Sequence, residues 1–449
     1  MSIAIDMGVS VGTPQGYGSG LLHSVSASPN QIPDPATYIT PLKPKLWRTG
    51  PYGNNNGANS FDLYNYLYSL GVRQHQFDMT LWFNFFSGSI NDTVDYVANL
   101  AVTNSYDFVW NIQNEPEQNG YTYSTWYTRY KAVVARLRTH ITSPKITGPD
   151  LGAFNETWIK DFLTAAYTDG YLPNIITWHE LQTWTEEYGG NPHLYQNVGI
   201  ICDYLDAHPE FGTPEICIQE YTRPEESLGL YSSGGAIDHF CAVERLSNSR
   251  GRKITCIRGS WQVKQVDKGP SDSPAVPYIP SDANQNLDGL LTYDKHGDTY
   301  GLPPTSLTIG KRGLWWAHKA YADLSGTLCQ LTRSMDFDGL ASKDSDAGNA
   351  ILVLCSRNSR TISTDAVNVV LSNIPSYLIS AGKITAKIES IPETQAILPA
   401  MPVISQLDYT VTSSSATIPA SIPVGGAIKI TISGTSQPLV TTVKGIRII

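Results

Sequence analysis

Asp107-Phe-Val-Trp-Asn-Ile-Gln-Asn-Glu-Pro-Glu117 is the stretch on which the fold turns. The apolar run from Phe108 to Ile112 predicts a buried strand. Pro116 has no backbone N–H and ends pairing at that point. Asn114 and Glu115 are thereby fixed at a strand end. A parallel barrel presents its chemistry there, on the C-terminal face of its strands. A carboxylate at the rim of an apolar cavity is a candidate proton donor. An Asn-Glu-Pro tripeptide alone fits a capped turn equally well, so the rest of the chain has to decide.

Working outward, the 449 residues suffice for one barrel of about 250 residues and a smaller partner. Ten tryptophans and twenty-five tyrosines, against only 16% charged residues, supply many flat amphipathic rings, which fill cores and also stack on sugar faces. A formal charge of −9 without any basic run argues against nucleic acid, whose phosphates need clustered Lys and Arg. Cys202, Cys217, Cys241, Cys256, Cys329 and Cys355 form no Cys-x-x-Cys pair. Neither a zinc site nor a disulfide framework is therefore expected.

The N-terminus, Met-Ser-Ile-Ala-Ile-Asp, lacks the basic and apolar regions of a signal peptide. No apolar run reaches membrane-span length. The expected location is the cytoplasm, or outside the cell if a signal has been removed. Asn91-Asp-Thr and Asn155-Glu-Thr match the glycosylation acceptor pattern, but each asparagine reads better as a helix N-cap.

Short apolar runs alternate with amphipathic segments as far as residue 326. Eight runs read as strands: 3–11, 46–48, 72–77, 108–112, 145–148, 175–178, 215–218 and 254–257. Between them, helical spacing groups Phe61, Tyr64, Leu67 and Tyr68; then Trp126, Tyr130, Val133, Leu137 and Ile141; then Trp158, Ile159, Phe162 and Leu163. Eight strand–helix units predict a closed (β/α)8 TIM barrel over residues 1–326. An open doubly wound sheet is the rival, weakened because no Gly-x-Gly-x-x-Gly or P-loop follows a strand. Residues 264–310 form a long Pro-, Asp-, Ser- and Gly-rich loop that either walls the cleft or makes a surface excursion. Arg312 to Gly326 reads as the closing helix.

From Thr327 helical periods vanish. Ala350-Ile-Leu-Val-Leu-Cys355, Ala366-Val-Asn-Val-Val-Leu371, Lys383-Ile-Thr-Ala-Lys-Ile388 and Ala427-Ile-Lys-Ile-Thr-Ile432 are short, β-branched and separated by turns. Residues 327–449 therefore read as an antiparallel β-sandwich domain without catalytic groups.

Pro214-Glu-Ile-Cys-Ile-Gln-Glu220-Tyr221 repeats the pattern around Glu115: an apolar strand running into a polar residue. By strand count Glu115 ends the fourth strand and Glu220 the seventh. Two carboxyls flanking a glycosidic bond are the equipment for its hydrolysis. Glu215 opens its strand and is expected on the opposite face. Glu117, beyond the proline, is expected in solvent.

Asn114-Glu115-Pro116 after strand four, with Glu220 after strand seven, resembles clan A of the retaining glycoside hydrolases. Pro44-Lys-Leu-Trp-Arg48, Gly71-Val-Arg, Lys145-Ile-Thr-Gly-Pro-Asp150 and His179 are most similar to family 39, which contains β-xylosidases and α-L-iduronidases. Gln113-Asn-Glu-Pro-Glu117 also resembles family 30. The clan resemblance spans roughly residues 1–326. It implies Glu115 as acid/base and Glu220 as nucleophile, Asn114 as donor to a sugar 2-hydroxyl, and Arg48 as partner of the nucleophile.

Weaker candidates for sugar contacts are His179, Trp261, Tyr221, Gln182, Trp184 and Trp82. Asp78 and Glu180 also lie near strand ends. Where family 39 has His-x-Tyr after strand six, this chain has His179-Glu-Leu181, so that either Tyr221 or Gln182 replaces the tyrosine or the substrate differs.

The expected substrate is an oligosaccharide or polysaccharide, with no metal, organic cofactor, nucleic acid or membrane involved. Two alternatives stay open: transglycosylation by the same pair, and a non-catalytic glycan-binding barrel. An aldolase-type barrel would want a strand-end lysine or a phosphate-gripping loop, and neither is found.

Overall fold

The computed structural model describes residues 1–22, 36–50, 60–85, 89–180, 192–221, 233–260, 290–293, 309–334, 336–356, 366–394 and 397–434. Trp261, Gln182, Trp184 and most of the 264–310 loop lie outside the described residues.

Eight parallel strands close a barrel: Gly20–Leu22, Leu46–Thr49, Gln74–Asp78, Phe108–Asn111, Lys145–Leu151, Ile175–Glu180, Glu215–Tyr221 and Ile254–Ser260. Closure is direct, with Gly20 opposite Ile257 and Leu22 opposite Ser260. Seven of these strands coincide with the runs read from the sequence. The first does not. Residues 3–11 lie in Ser2–Gly12, which pairs antiparallel with Thr327–Thr332 and parallel with Ala366–Ser372, in a different sheet.

The physical reason shows in burial. Ile3, Ile5 and Met7 are buried while their neighbours are largely exposed, the alternation of a one-sided sheet. A barrel strand is buried on both faces, as Leu46–Thr49 and Ile175–Glu180 are. The true first strand has only three residues, too few to show any period. It needs glycine at its start: a Cβ on Gly20 would sit 2.3 Å from the Cys256 carbonyl oxygen.

The helical stripes form largely as spaced, except that Tyr68 is exposed and Ile141 caps the end of its helix. Ser60–Ser69, Tyr123–His140 and Glu156–Asp169 turn Leu67, Trp126, Tyr130, Val133, Leu137, Ile159, Phe162 and Leu163 into the layer around the barrel. Asn155 caps its helix by accepting from the Trp158 N–H at 3.0 Å. Asn91 caps nothing. The helix Ile90–Thr103 is capped two residues earlier by Ser89, in a reciprocal box with Asp92. The closing helix is Gly313–Ala322.

The second unit is a nine-stranded mixed sheet. Its order is Val403–Thr410, Lys383–Ile391, Ala427–Ser433, Asn349–Ser356, Phe337–Asp344, Thr327–Thr332, Ser2–Gly12, Ala366–Ser372, Ala416–Ser421. The two outermost strands touch, so the sheet curls over one core containing Ile3, Ile5, Leu352, Val369, Ile384, Ile418 and Ile430. This is the sandwich-like partner domain. The helices Ser233–Arg250 and Gly313–Ala322 pack against it through Ile237, Phe240, Leu314, Trp315, Leu340, Ile351 and Val353. Arg245 fixes the joint by donating to both oxygens of Asp338, at 2.6 and 2.5 Å. All six cysteines are buried and unbridged.

Candidate active site

Below the C-terminal rim, polar side chains fill the barrel. Asn111 donates to Gln219 at 3.0 Å, Gln219 to Gln76 at 3.0 Å, and Gln76 to the Cys217 sulfur at 3.4 Å. These four groups are buried, and their mutual bonds satisfy much of what burial would otherwise leave unpaired.

Above them Arg48 projects from strand two, with a side chain only 4% exposed. Its Nη2 donates to Glu220 Oε1 at 2.7 Å and to Asn114 Oδ1 at 3.0 Å. Asp78 lies 3.8 Å from the same nitrogen. Burial works against the guanidinium charge, yet Glu220, Asp78, Asp150 and Glu115 outweigh it and hold Arg48 above its ordinary pKa.

His179, fully buried at the end of strand six, links the two glutamates. Its Nε2 lies 3.4 Å from Arg48 Nη1, and its Nδ1 lies 3.0 Å from Glu115 Oε1 and 3.8 Å from Glu220 Oε2. A guanidinium only donates. Nε2 is therefore the acceptor, and the ring proton on Nδ1 points at Glu115. Glu115 and Glu220 side chains are each 21% exposed, in contact with solvent above and with this network below.

The segment carrying Glu115 is held in an uncommon shape. Glu115 has φ +47°, the left-handed region that a side chain with a Cβ seldom adopts. Its N–H donates to the Asp150 carbonyl at 2.8 Å, and Asp150 itself has φ +60°. Asn119 Nδ2 donates to the carbonyls of Asn114 and Glu115, at 3.0 and 2.9 Å. The Asn114 N–H donates to Thr80 Oγ1 at 2.6 Å.

The Asp150 carboxyl is fully buried. Its Oδ1 accepts the hydroxyls of Thr147 at 2.7 Å and Thr177 at 2.5 Å, but burial prevails and raises its pKa to about 6.

Glu117 departs from expectation. It is half-buried rather than solvated, because its Oε1 accepts the N–H groups of Gly152 at 2.6 Å and Ala153 at 3.2 Å. Burial pushes its pKa above the usual value despite these bonds. Nothing in the sequence marks that contact, since strand four and strand five supply its two halves. Asp150 carried a signal, standing at the end of strand five, but not one that distinguishes a backbone support from a ligand.

The other candidates divide. Arg48, Asn114, Glu115, His179 and Glu220 meet at one end of the barrel. Tyr221 has no exposed surface, and its ring stacks on His239 at a centroid distance of 3.4 Å. Trp82 is packed in the core against Phe77. Glu180 is buried and accepts from Trp178 Nε1 and Asn197 Nδ2, both at 2.8 Å. Glu215 lies at the opposite mouth, paired with Lys253 at 2.8 Å in a cavity of about 580 Å³.

Glu115, His179 and Glu220 have donor atoms within 4.8 Å of one another, a spacing that also suits a cation. Arg48 opposes that use. It sets a positive charge on Glu220 and leaves the proton on Nδ1, the nitrogen facing the carboxylates. Among the described residues, no helix is long and apolar enough to cross a membrane.

The fold of this chain is similar to that of several solved structures, a glucosidase and a beta-xylosidase among them. No family model matches it, and no curated protein does either. N2152 from Neocallimastix frontalis superposes with a TM-score of 0.71 at 18% identity, over 97% of this chain and 99% of that one. A glucosidase from Croceicoccus marinus follows at 0.64 and 12%, covering 97% and 99%. A monomeric beta-xylosidase from Caulobacter crescentus gives 0.63 and 12%, covering 96% and 99%. At such identities the likeness is one of fold.

Proposed function

We propose that this chain is a retaining glycoside hydrolase of clan A, with Glu220 as nucleophile and Glu115 as acid/base. The carrying observation is the close approach of the two carboxylates, whose donor atoms fall within 4.8 Å in the cluster shared with His179. Retaining enzymes hold their carboxyls about 5–5.5 Å apart, whereas inverting ones leave about 6.5–9.5 Å for a water.

Each side chain then has a task. Arg48, 2.7 Å from Glu220, keeps that carboxylate ionised and aimed. Glu220 attacks the anomeric carbon as Glu115 protonates the departing oxygen, leaving a glycosyl ester on Glu220. Water then enters, Glu115 takes its proton, and the ester breaks with the original anomer restored. Esterification removes the negative charge of Glu220, which favours the ionised, proton-accepting form of Glu115. Asn114, held by Arg48, presents its amide to the sugar 2-hydroxyl. The Nδ1–H of His179 stabilises Glu115 whenever it is a carboxylate.

The finer resemblance is to family 39, carried by Pro44-Lys-Leu-Trp-Arg48 and His179, with Leu181 in place of that family's tyrosine. A glucosidase and a beta-xylosidase share the fold, so aryl glucosides and xylosides, with furanosides beside them, are the first substrates to try.

Proton NMR of the first-formed product reads the outcome directly: the substrate's anomer is expected, and the opposite anomer sinks the double displacement. Glu220→Gln should lower kcat/KM at least about 1,000-fold while substrate still binds. Continued turnover would displace Glu220 as nucleophile.

A further inference from the structure

Glu117 performs no step in the mechanism above, yet it is half-buried beside the site. One oxygen accepts two backbone N–H groups of strand five's exit, from Gly152 at 2.6 Å and Ala153 at 3.2 Å. That exit also touches Glu115. Asp150 O receives the Glu115 N–H at 2.8 Å, and a Cβ on Gly152 would lie 3.0 Å from Glu115 Cγ. Glu115 is thus gripped at its backbone by one residue of the exit and packed at its side chain by another.

The exit in turn is tied to the Glu115 loop by Glu117, two residues further on. Glu115 and Asp150 both have positive φ, at +47° and +60°, so neither half of this joint sits in an easy backbone well. A strained pair holds its shape only where surrounding bonds over-determine it.

We infer that Glu117 is a positioning residue for the acid/base: its carboxylate staples the exit of strand five to the loop after strand four, and so fixes where the Glu115 carboxyl points. This rests on the reading of Glu115 as the acid. The Glu117–Gly152 bond is worth little to the barrel, which closes through its own strand ladder. Its effect falls on the direction of one side chain, where a displacement of about 1 Å can cost roughly 100-fold in rate.

The test uses the full chain and two aryl glycosides of one sugar that the enzyme turns over. A dinitrophenyl group leaves without protonation, whereas a phenyl or alkyl group needs the acid. The constant read is kcat/KM, which stops at formation of the glycosyl ester. Glu117→Ala is expected to lower it about 10-fold or more for the poor leaving group, and by less than about 2-fold for the dinitrophenyl glycoside. Glu117→Gln should recover most of the loss, because an amide oxygen accepts the same two N–H groups. Glu117→Asp keeps the charge but withdraws the oxygens by one methylene, so it should show the selective loss even if the alanine variant does not fold.

Equal losses on both substrates, or no loss on either, would overturn the inference. Glu115→Gln runs beside them. If it too lacks leaving-group selectivity, the acid/base reading has failed. If it is selective and the Glu117 variants are not, only the positioning role has.

Discussion

Asp150 shows how much one side chain can hold in tension. Its carboxyl is buried, hydrogen-bonded on one oxygen, and titrates near pH 6 instead of near 3.8. Between those values the folded state keeps a proton that the unfolded chain releases. Stability therefore falls as pH rises through that window, and the full penalty applies above pH 6. Asp150→Asn retains an oxygen for Thr147 and Thr177 but cannot ionise. Relative to wild type it should gain almost nothing below about pH 3 and up to about 3 kcal/mol above pH 6, read by urea unfolding across pH. A difference independent of pH would show that the carboxyl is ionised at no such cost.

The same scale shows where the sequence was legible. Asn114, Glu115 and Glu220 stand at ends of apolar runs, where chemistry-bearing residues announce themselves by breaking a pattern. Arg48 does the same. The supports of Asn114 and Glu115 break nothing: Asp150 contributes a carbonyl to Glu115, Thr80 a hydroxyl to Asn114, and Glu117 an acceptor to the backbone of Gly152, each bond joining segments distant in the chain.

Among the elements, strands buried on both faces were readable mainly where short apolar clusters such as Phe108-Val-Trp110, Ile175-Ile176 and Ile216-Cys-Ile218 run into polar residues. The barrel's first strand was not, since Gly20–Leu22 has neither length nor period, and a longer alternating run nearby drew the assignment. Its role rests on close approach. An added methyl at position 20 would meet the Cys256 carbonyl at 2.3 Å and Leu46 Cγ at 2.9 Å. Gly20→Ala should therefore cost about 1–3 kcal/mol by forcing apart the seam where strands one and eight meet. Chemical denaturation measures it, and an unshifted midpoint would mean that the seam is loosely packed. The Ser89 cap belongs to the same lesson: Asn91 and Ser89 both suit a helix start, and the reciprocal bond with Asp92 selects Ser89.

For the whole molecule, barrel and curled sheet are joined by an apolar layer and by ion pairs, among them Arg245–Asp338 and Lys429–Asp323. Asp338 has a side chain 2% exposed, with both oxygens taken by Arg245. Asp338→Ala strands a guanidinium that is three-quarters covered, and should destabilise the protein by about 3 kcal/mol. The loss belongs to the joint, so calorimetry is expected to resolve the single transition into two. A single transition at an unchanged temperature would mean that the apolar layer and the Lys429–Asp323 pair hold the units together without Asp338.

The strand Ser2–Gly12 lies between Thr327–Thr332 and Ala366–Ser372, so a piece of chain made before the barrel occupies a slot whose walls are made after it. The barrel is in effect inserted into the sheet that flanks it. During synthesis this strand must stay unpaired until the barrel has been translated. Its alternating Ile3, Ile5 and Met7 are then a sticky edge that needs guarding by a chaperone or by fast burial.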